Sequence, residues 1–201
     1  MPSANKDNKS SSIRIIGGKW RGRKLRFATA ADLRPTPGRS RETLFNWLRP
    51  YIHKTRCVDA FAGSGSLGFE ALSQGSTHCT FIEKSAKSCR MLRNNVSQLD
   101  ALSQCTILQA SATKLLAELE VDICFLDPPF RQSTLLEQSL SLALKNPNLK
   151  WIWVEAPRTS TIETIFAASM AADNLTLSSH WDIHRQTKAG DSAGVLLQKQ
   201  F

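Results

Sequence analysis

The chain has 201 residues, 41% hydrophobic and 21% charged, an ordinary globular mix. At about 100–200 residues per domain, that length allows one main domain with a small appendage. No run of eighteen apolar residues occurs, which excludes a membrane-spanning helix, and the net charge of +9 favours an anionic partner.

The charge is segregated. Residues 1–56 carry 14 Lys and Arg against 3 acids, whereas the rest carry 12 against 14. Positive charge confined to one segment and interleaved with aromatic and apolar residues is a footprint for a polyanion such as nucleic acid. Residues 1–12, MPSANKDNKSSS, are polar and lack the apolar stretch of a secretory signal, so they read as a disordered tail. Cys57, Cys79, Cys89, Cys105 and Cys124 form no CxxC pair, and no histidine stands at metal-ligand spacing to them. They read as buried free thiols in a reduced, cytosolic protein without a metal.

Residues 13–27, IRIIGGKWRGRKLRF, contain short β-rich runs broken by glycines. They predict hairpin structure with basic residues outward. The LRPTP segment at 33–37 cannot be helical, because each proline restricts the residue before it. From Ser40 to Ile52, Leu44, Phe45, Trp47 and Leu48 recur at helical spacing, with Pro50 ending or kinking the helix. Residues 13–55 thus form a basic extension.

From residue 56 the pattern becomes regular. Strand-like runs at 56–61, 79–83, 105–110, 121–127 and 150–155 alternate with helical patterns near 66–73, 85–99, 112–119, 132–145 and 160–171. Near-continuous apolar strands separated by helices predict an α/β, Rossmann-like, mostly parallel sheet covered on both faces. Runs at 175–186 and 194–201 are separated only by a Gly-containing turn, which predicts an antiparallel hairpin on the sheet edge.

Strand one leads into DAFAGSGSLG at 59–68, and Gly63, Gly65 and Gly68 follow the G-x-G-x-x-G spacing. Glu83 stands twenty residues after Gly63, placed to accept hydrogen bonds from a ribose. These features indicate an adenosine-type cofactor beyond the carboxyl ends of the strands. Asp59 separates the chemistries. A carboxylate there opposes a pyrophosphate but suits the amino group of a methionine moiety, and no basic residue lies between Asp59 and Glu83.

The most specific motif is Asp127-Pro128-Pro129-Phe130, at the end of the fourth strand. Two prolines stiffen that turn, so the Asp127 carboxylate and the Pro128 carbonyl can converge on an exocyclic amino group and accept both its hydrogens. Such an amine is a poor nucleophile while its lone pair is delocalised, and holding its hydrogens out of the ring plane frees that pair for in-line attack on a methyl carbon. Phe130 offers a face on which the target base can stack.

The order DAFAGSGSLG, FIEK, DPPF resembles the class I amino-methyltransferases. With RIIGGKWRGRKL and LRPTPGRSRETLFNWL before it, the chain is similar to the bacterial 16S rRNA guanine-N2 methyltransferase family RsmD over about residues 13–155. The resemblance implies S-adenosyl-L-methionine as cofactor and 16S rRNA, in the small ribosomal subunit or its assembly intermediate, as partner. It implies a methyltransferase domain over 56–201, a cofactor site of Asp59, Phe61, Gly63, Ser64, Gly65, Glu83, Lys84, Ala112 and Asp127, and a catalytic Asp127, Pro128, Pro129 and Phe130. Ala112 falls at the adenine position, where it can contribute only backbone. Thr36 to Phe45 would pack beside the cofactor, while Arg14, Lys19, Arg21, Arg23, Lys24 and Arg131 would grip RNA. An adenine-N6 methyltransferase and a catalytically silent RNA-binding module share parts of this pattern; a dehydrogenase explains neither the DPPF nor the basic arm.

Overall fold

The computed structural model describes residues 10–28, 38–130, 132–159, 164–166 and 181–200. The chain opens with an antiparallel hairpin, β1 (Ser10–Arg14) and β2 (Lys24–Ala28), linked through a 3-10 turn at Gly18–Trp20. Side chains alternate across a strand, so Leu25 and Phe27 are buried while Lys24 and Arg26 face outward. Strand β1 begins three residues inside the segment expected to be a disordered tail, because pairing from Ser10 opposite Ala28 uses backbone groups and asks nothing apolar of the serines. Residues 1–9 lie outside the described residues, as do LRPTP at 33–37 and Thr36 with it.

Helix α1 (Gly38–Leu48) buries Leu44, Phe45 and Leu48 and stops two residues before Pro50. Beyond it come β3 (Arg56–Asp59), α2 (Ser66–Ser73), β4 (His78–Glu83), α3 (Ala86–Gln98), β5 (Cys105–Gln109), β6 (Ile123–Leu126), α4 (Ser133–Lys145), β7 (Trp151–Pro157), β8 (Trp181–Ala189) and β9 (Ser192–Lys199). The seven strands β3–β9 form one sheet in the order β5-β4-β3-β6-β7-β9-β8. Strands β3 to β7 run parallel, and β9 inserts antiparallel between β7 and β8. The α/β architecture is therefore the one expected, with the antiparallel hairpin at the edge. Close packing there needs Gly194, since a Cβ at that position would lie 2.0 Å from the Trp153 ring.

Two elements differ from the sequence reading. The helix expected over 112–119 is one 3-10 turn, Ala112–Lys114. The Asn146 side chain donates to the carbonyls of Leu116 (2.7 Å) and Leu119 (2.9 Å), tying the segment down in irregular turns. The run expected at 175–186 is a strand from Trp181 to Ala189; its first six residues, like most of the helix expected over 160–171, lie outside the described residues.

Each sheet face has its own core. One gathers Ile15, Leu25, Leu44, Phe45, Phe69, Leu92, Phe125 and Trp153, so the hairpin and α1 to α3 share it. The other gathers Leu116, Leu126, Leu140, Ile152 and Leu197 under α4.

The hairpin is fastened to the first face by polar groups as well. Glu70, fully buried on α2, accepts from the amides of Ile16 (2.8 Å) and Gly17 (2.7 Å) and from Gln74 Nε2 (2.8 Å). Arg41, also buried, sets its Nε 3.9 Å from the same carboxylate and donates from Nη2 to the Arg14 carbonyl (2.7 Å). Burial lowers the Arg41 pKa and the charge of Glu70 opposes that shift. Ser73 Oγ accepts from the Trp20 amide and donates to the Gly17 carbonyl. Asn95 on α3 holds both the amide and the carbonyl of Arg26, as a neighbouring strand would. Gly18, at φ +74, lies so close to the Ser73 carbonyl that a Cβ would meet it at 1.8 Å.

Glu70→Ala strands two half-buried amides and an uncompensated guanidinium. The expected loss is about 3 kcal/mol, seen as a fall of roughly 6–12 °C in Tm by thermal denaturation.

Candidate functional site

The loop after β3 is built for close backbone approach. Gly63 and Gly65 have φ of 48° and 75°, in the left-handed region that glycine adopts without strain. Gly65 caps α2, and a Cβ there would lie 2.6 Å from Leu92 and Phe69. Gly68, one turn further, lets α2 rest on the sheet, since its Cβ would fall 2.3 Å from Phe81. Two carboxylates brace the loop. Glu83 at the end of β4 accepts from the Gly63 amide (2.9 Å) with one oxygen and from the Ser85 amide (2.7 Å) with the other. Asp59 at the end of β3 accepts from the Gly68 amide (3.0 Å). Both acids thus hold the loop in shape. Ser64 is buried in this loop, Phe61 half-buried beside it, and Lys84 exposed. Ala112 is buried after β5, in the second core.

Asp59, Asp127 and Glu155 stand at the carboxyl ends of three neighbouring strands. Phe125 pairs with Trp153 in parallel register, and both belong to the first core. Two residues on, alternation returns Asp127 and Glu155 to that same face. Asp59 lies two residues after Cys57 of the same core, on the adjoining strand. Burial pushes the Asp59 carboxyl up to about 7, the charges of Asp127 and Glu83 add to the rise, and the Gly68 amide opposes it. Burial likewise raises Glu155 to about 8, and the charge of Asp127 adds to it. These acids oppose one another's ionisation, so the edge favours a positively charged guest.

The Asp127–Phe130 turn joins β6 to α4. Asp127 is half-buried, Pro128 buried, and Pro129 and Phe130 exposed, Phe130 by 38%. The Pro129 carbonyl accepts from the Gln132 amide (3.0 Å), which closes the turn into α4. Pro128, Pro129 and Phe130 line a cleft with Gln132, Ser133, Leu136, Glu155, Pro157 and Ile165. Arg131, expected to touch RNA, lies outside the described residues.

On the hairpin, Arg14, Lys19, Arg21, Arg23 and Lys24 are all exposed. Arg14 pairs directly opposite Lys24, a like-charge arrangement that destabilises a sheet unless an anion covers it. Some of these cations are positioned: Lys19 Nζ reaches Gln104 Oε1 (2.7 Å) and stands 4.3 Å over the Trp20 ring, and Arg23 Nη2 donates to the Gln98 carbonyl (2.6 Å).

Sequence reasoning missed Glu70, Arg41, Ser73, Asn95 and Glu155. Glu155 had a readable signal, an acid ending the apolar run WIWV as Asp127 ends ICFL. The docking residues had none, because their partners are mostly backbone groups 27 to 69 positions away in the chain.

The raised carboxyls set a pH dependence. Asp59 and Glu155 bind protons more tightly folded than unfolded, so their contribution to stability is full below about pH 4 and is lost as pH rises through about 7 and 8. Thermal melts of the unliganded protein from pH 5 to 9 should show that decline, and Glu155→Gln should flatten its upper part.

Comparison with known proteins adds the family. The model described as Conserved hypothetical protein 95 matches residues 13–198. Ribosomal RNA small subunit methyltransferase D of Escherichia coli (strain K12) is 40% identical over 194 residues, 95% of this chain and 92% of that one. Its Haemophilus influenzae counterpart is 42% identical over 172 residues, 82% and 89% of the two chains. The solved Escherichia coli protein yhhF superposes with a TM-score of 0.75 at 37% identity, covering 94% of this chain and 99% of that one. The fold is also that of the Thermus thermophilus 16S rRNA N2 G1207 methyltransferase RsmC in complex with AdoMet and guanosine, with a TM-score of 0.71 at 17% identity over 99% of this chain and 52% of that one. The chain belongs to the ribosomal RNA small subunit methyltransferase D family, RsmD.

Proposed function

We propose that the protein transfers the methyl group of S-adenosyl-L-methionine to the exocyclic N2 amino group of a guanine in 16S rRNA. The observation that carries this reading is the half-buried Asp127 of a proline-stiffened turn, set in a row of acids beside a left-handed glycine loop. The relatives named for small-subunit rRNA methylation support the substrate class.

The residues fit the cofactor. Gly63, Ser64 and Gly65 leave its methionine part room against backbone, and Glu83 stands where a ribose needs an acceptor. Asp59, raised by burial and by its acidic neighbours, gains a counter-ion from an ammonium group. Phe61, Lys84 and Ala112 complete the rim, Ala112 through backbone alone. When bound, the cofactor supplies an electrophilic methyl on a sulfonium.

The chain's own residues prepare the nucleophile. The Asp127 carboxylate and the Pro128 carbonyl accept the two amino hydrogens and draw the nitrogen toward a tetrahedral geometry. Asp127 need not be a strong base, because the nitrogen's proton becomes acidic once the nitrogen is cationic. Pro129 fixes the turn and Phe130 presents an exposed ring for stacking. The hairpin, in which Arg14 faces Lys24, holds the phosphate backbone of the small subunit or its assembly intermediate. Arg131, next to Phe130 in the chain, belongs to the same reading. A cytosolic setting suits both this partner and the five free cysteines.

The test is incubation with methyl-labelled cofactor and small subunits lacking their native methylation, followed by digestion to nucleosides. Label in N2-methylguanosine at one position is expected, and label confined to adenosine overturns the guanine assignment. Asp127→Ala should abolish turnover while cofactor affinity, measured by calorimetry, stays nearly unchanged. Replacing Arg21 and Arg23 by Ala should weaken RNA binding and reduce its salt slope by about one unit per lost phosphate contact.

A further inference from the structure

We propose that Glu155 reads the target base, accepting the N1–H of guanine beside the amino group held by Asp127 and Pro128. The inference rests on the guanine-N2 reading above and names the group that selects guanine within it.

Three observations carry it. Glu155 is only 1% exposed, and its Oε2 has no hydrogen-bond partner among the described residues. A buried acceptor left unmade is costly, so an oxygen kept in that state is held for a guest. Its place in the sheet is the second. Leu126, the last residue of β6, pairs with Val154, so Asp127 and Glu155 each come one residue after that pair, at the carboxyl ends of neighbouring strands. The third is access, since Glu155 shares one cleft with Pro128, Pro129 and Phe130.

The chemistry matches guanine. Its N1–H and N2–H donors lie side by side on one edge, and two neighbouring acceptors can take them together. Adenine presents a lone pair at N1, and above about pH 8, where Glu155 is ionised, the two face each other without a proton between them. The turn recognises an amino group of any base, whereas Glu155 recognises the neighbour that only one purine offers. Arg41, buried on α1 of the same face, stands 3.9 Å from Glu70 and donates from Nη2 to the Arg14 carbonyl, and as a donor only it cannot take N1–H. Trp153 Nε1, also without a partner among the described residues, is a donor and cannot take N1–H.

The test uses reconstituted small subunits whose 16S rRNA carries either guanine or 2-aminopurine at the modified position. 2-Aminopurine keeps the amino group but has an unprotonated N1. Assayed at pH 9, where Glu155 is ionised, the wild-type enzyme should methylate guanine roughly 10- to 100-fold faster in kcat/KM. Glu155→Gln keeps a carbonyl for guanine N1–H and adds an amide that can donate to the N1 of 2-aminopurine. Its preference should therefore shrink to within about threefold, with cofactor affinity by calorimetry as the check on folding. Equal rates on the two bases with the wild-type enzyme overturn the proposal. So does an unchanged preference in a variant that binds cofactor normally. Label appearing in adenosine, with neither substituted position methylated, refutes the guanine-N2 reading itself and is distinguishable from both.

Discussion

Parallel strands deliver all their carboxyl ends to one edge, and in this protein four of them end on or just before an acid. Asp59, Glu83, Asp127 and Glu155 follow β3, β4, β6 and the apolar body of β7. The first two are spent on the glycine loop, where amide donors at Gly63, Gly68 and Ser85 satisfy one or both oxygens. Glu155 lines the cleft, and Asp127 begins the turn whose prolines line it. A single geometric fact, that strand ends converge, thus makes both a scaffold for a cofactor and a cluster of acids above it. Burial first, and the neighbouring charges after it, raise the carboxyls of Asp59 and Glu155, and a cationic guest relieves the edge instead of burdening it.

Much of this was legible in the sequence, for physical reasons that can be named. Strand and helix alternate with clean apolar runs, so the sheet and its antiparallel edge follow from periodicity. The glycines of the loop are required by positive φ at Gly63 and Gly65 and by contact with Phe81 at Gly68, and their spacing records those needs. DPPF is legible because a doubled proline at a strand end has few structural uses. What escaped was either cooperative or long-range. The segment 112–119 has helical composition, but Asn146, some thirty residues later, takes its carbonyls. Glu70 looks like any polar position on a helix until the hairpin amides arrive against it.

The hairpin shows how a segment of net positive charge can still dock firmly. Its apolar side buries Ile15, Leu25 and Phe27, and Ile15 and Leu25 merge into the first core. The polar contacts set its position: Glu70 and Ser73 on α2 fix the turn at residues 16–20, and Asn95 on α3 fixes β2. With the inner face so occupied, the arginines and lysines have only the outer face, and opposite positions such as Arg14 and Lys24 are left to repel.

Helix α2 has only eight residues, all of them buried, yet it serves two masters. Its first turn carries Gly65 and Gly68 of the cofactor loop, and its last carries Glu70 and Ser73 of the hairpin mount. The two modules therefore share a spindle, and neither can be transplanted alone. A chimaera that imported another hairpin onto this body would have to import matching side chains at 70, 73 and 95 with it, or the graft would sit loose on a helix whose other end shapes the reaction chamber.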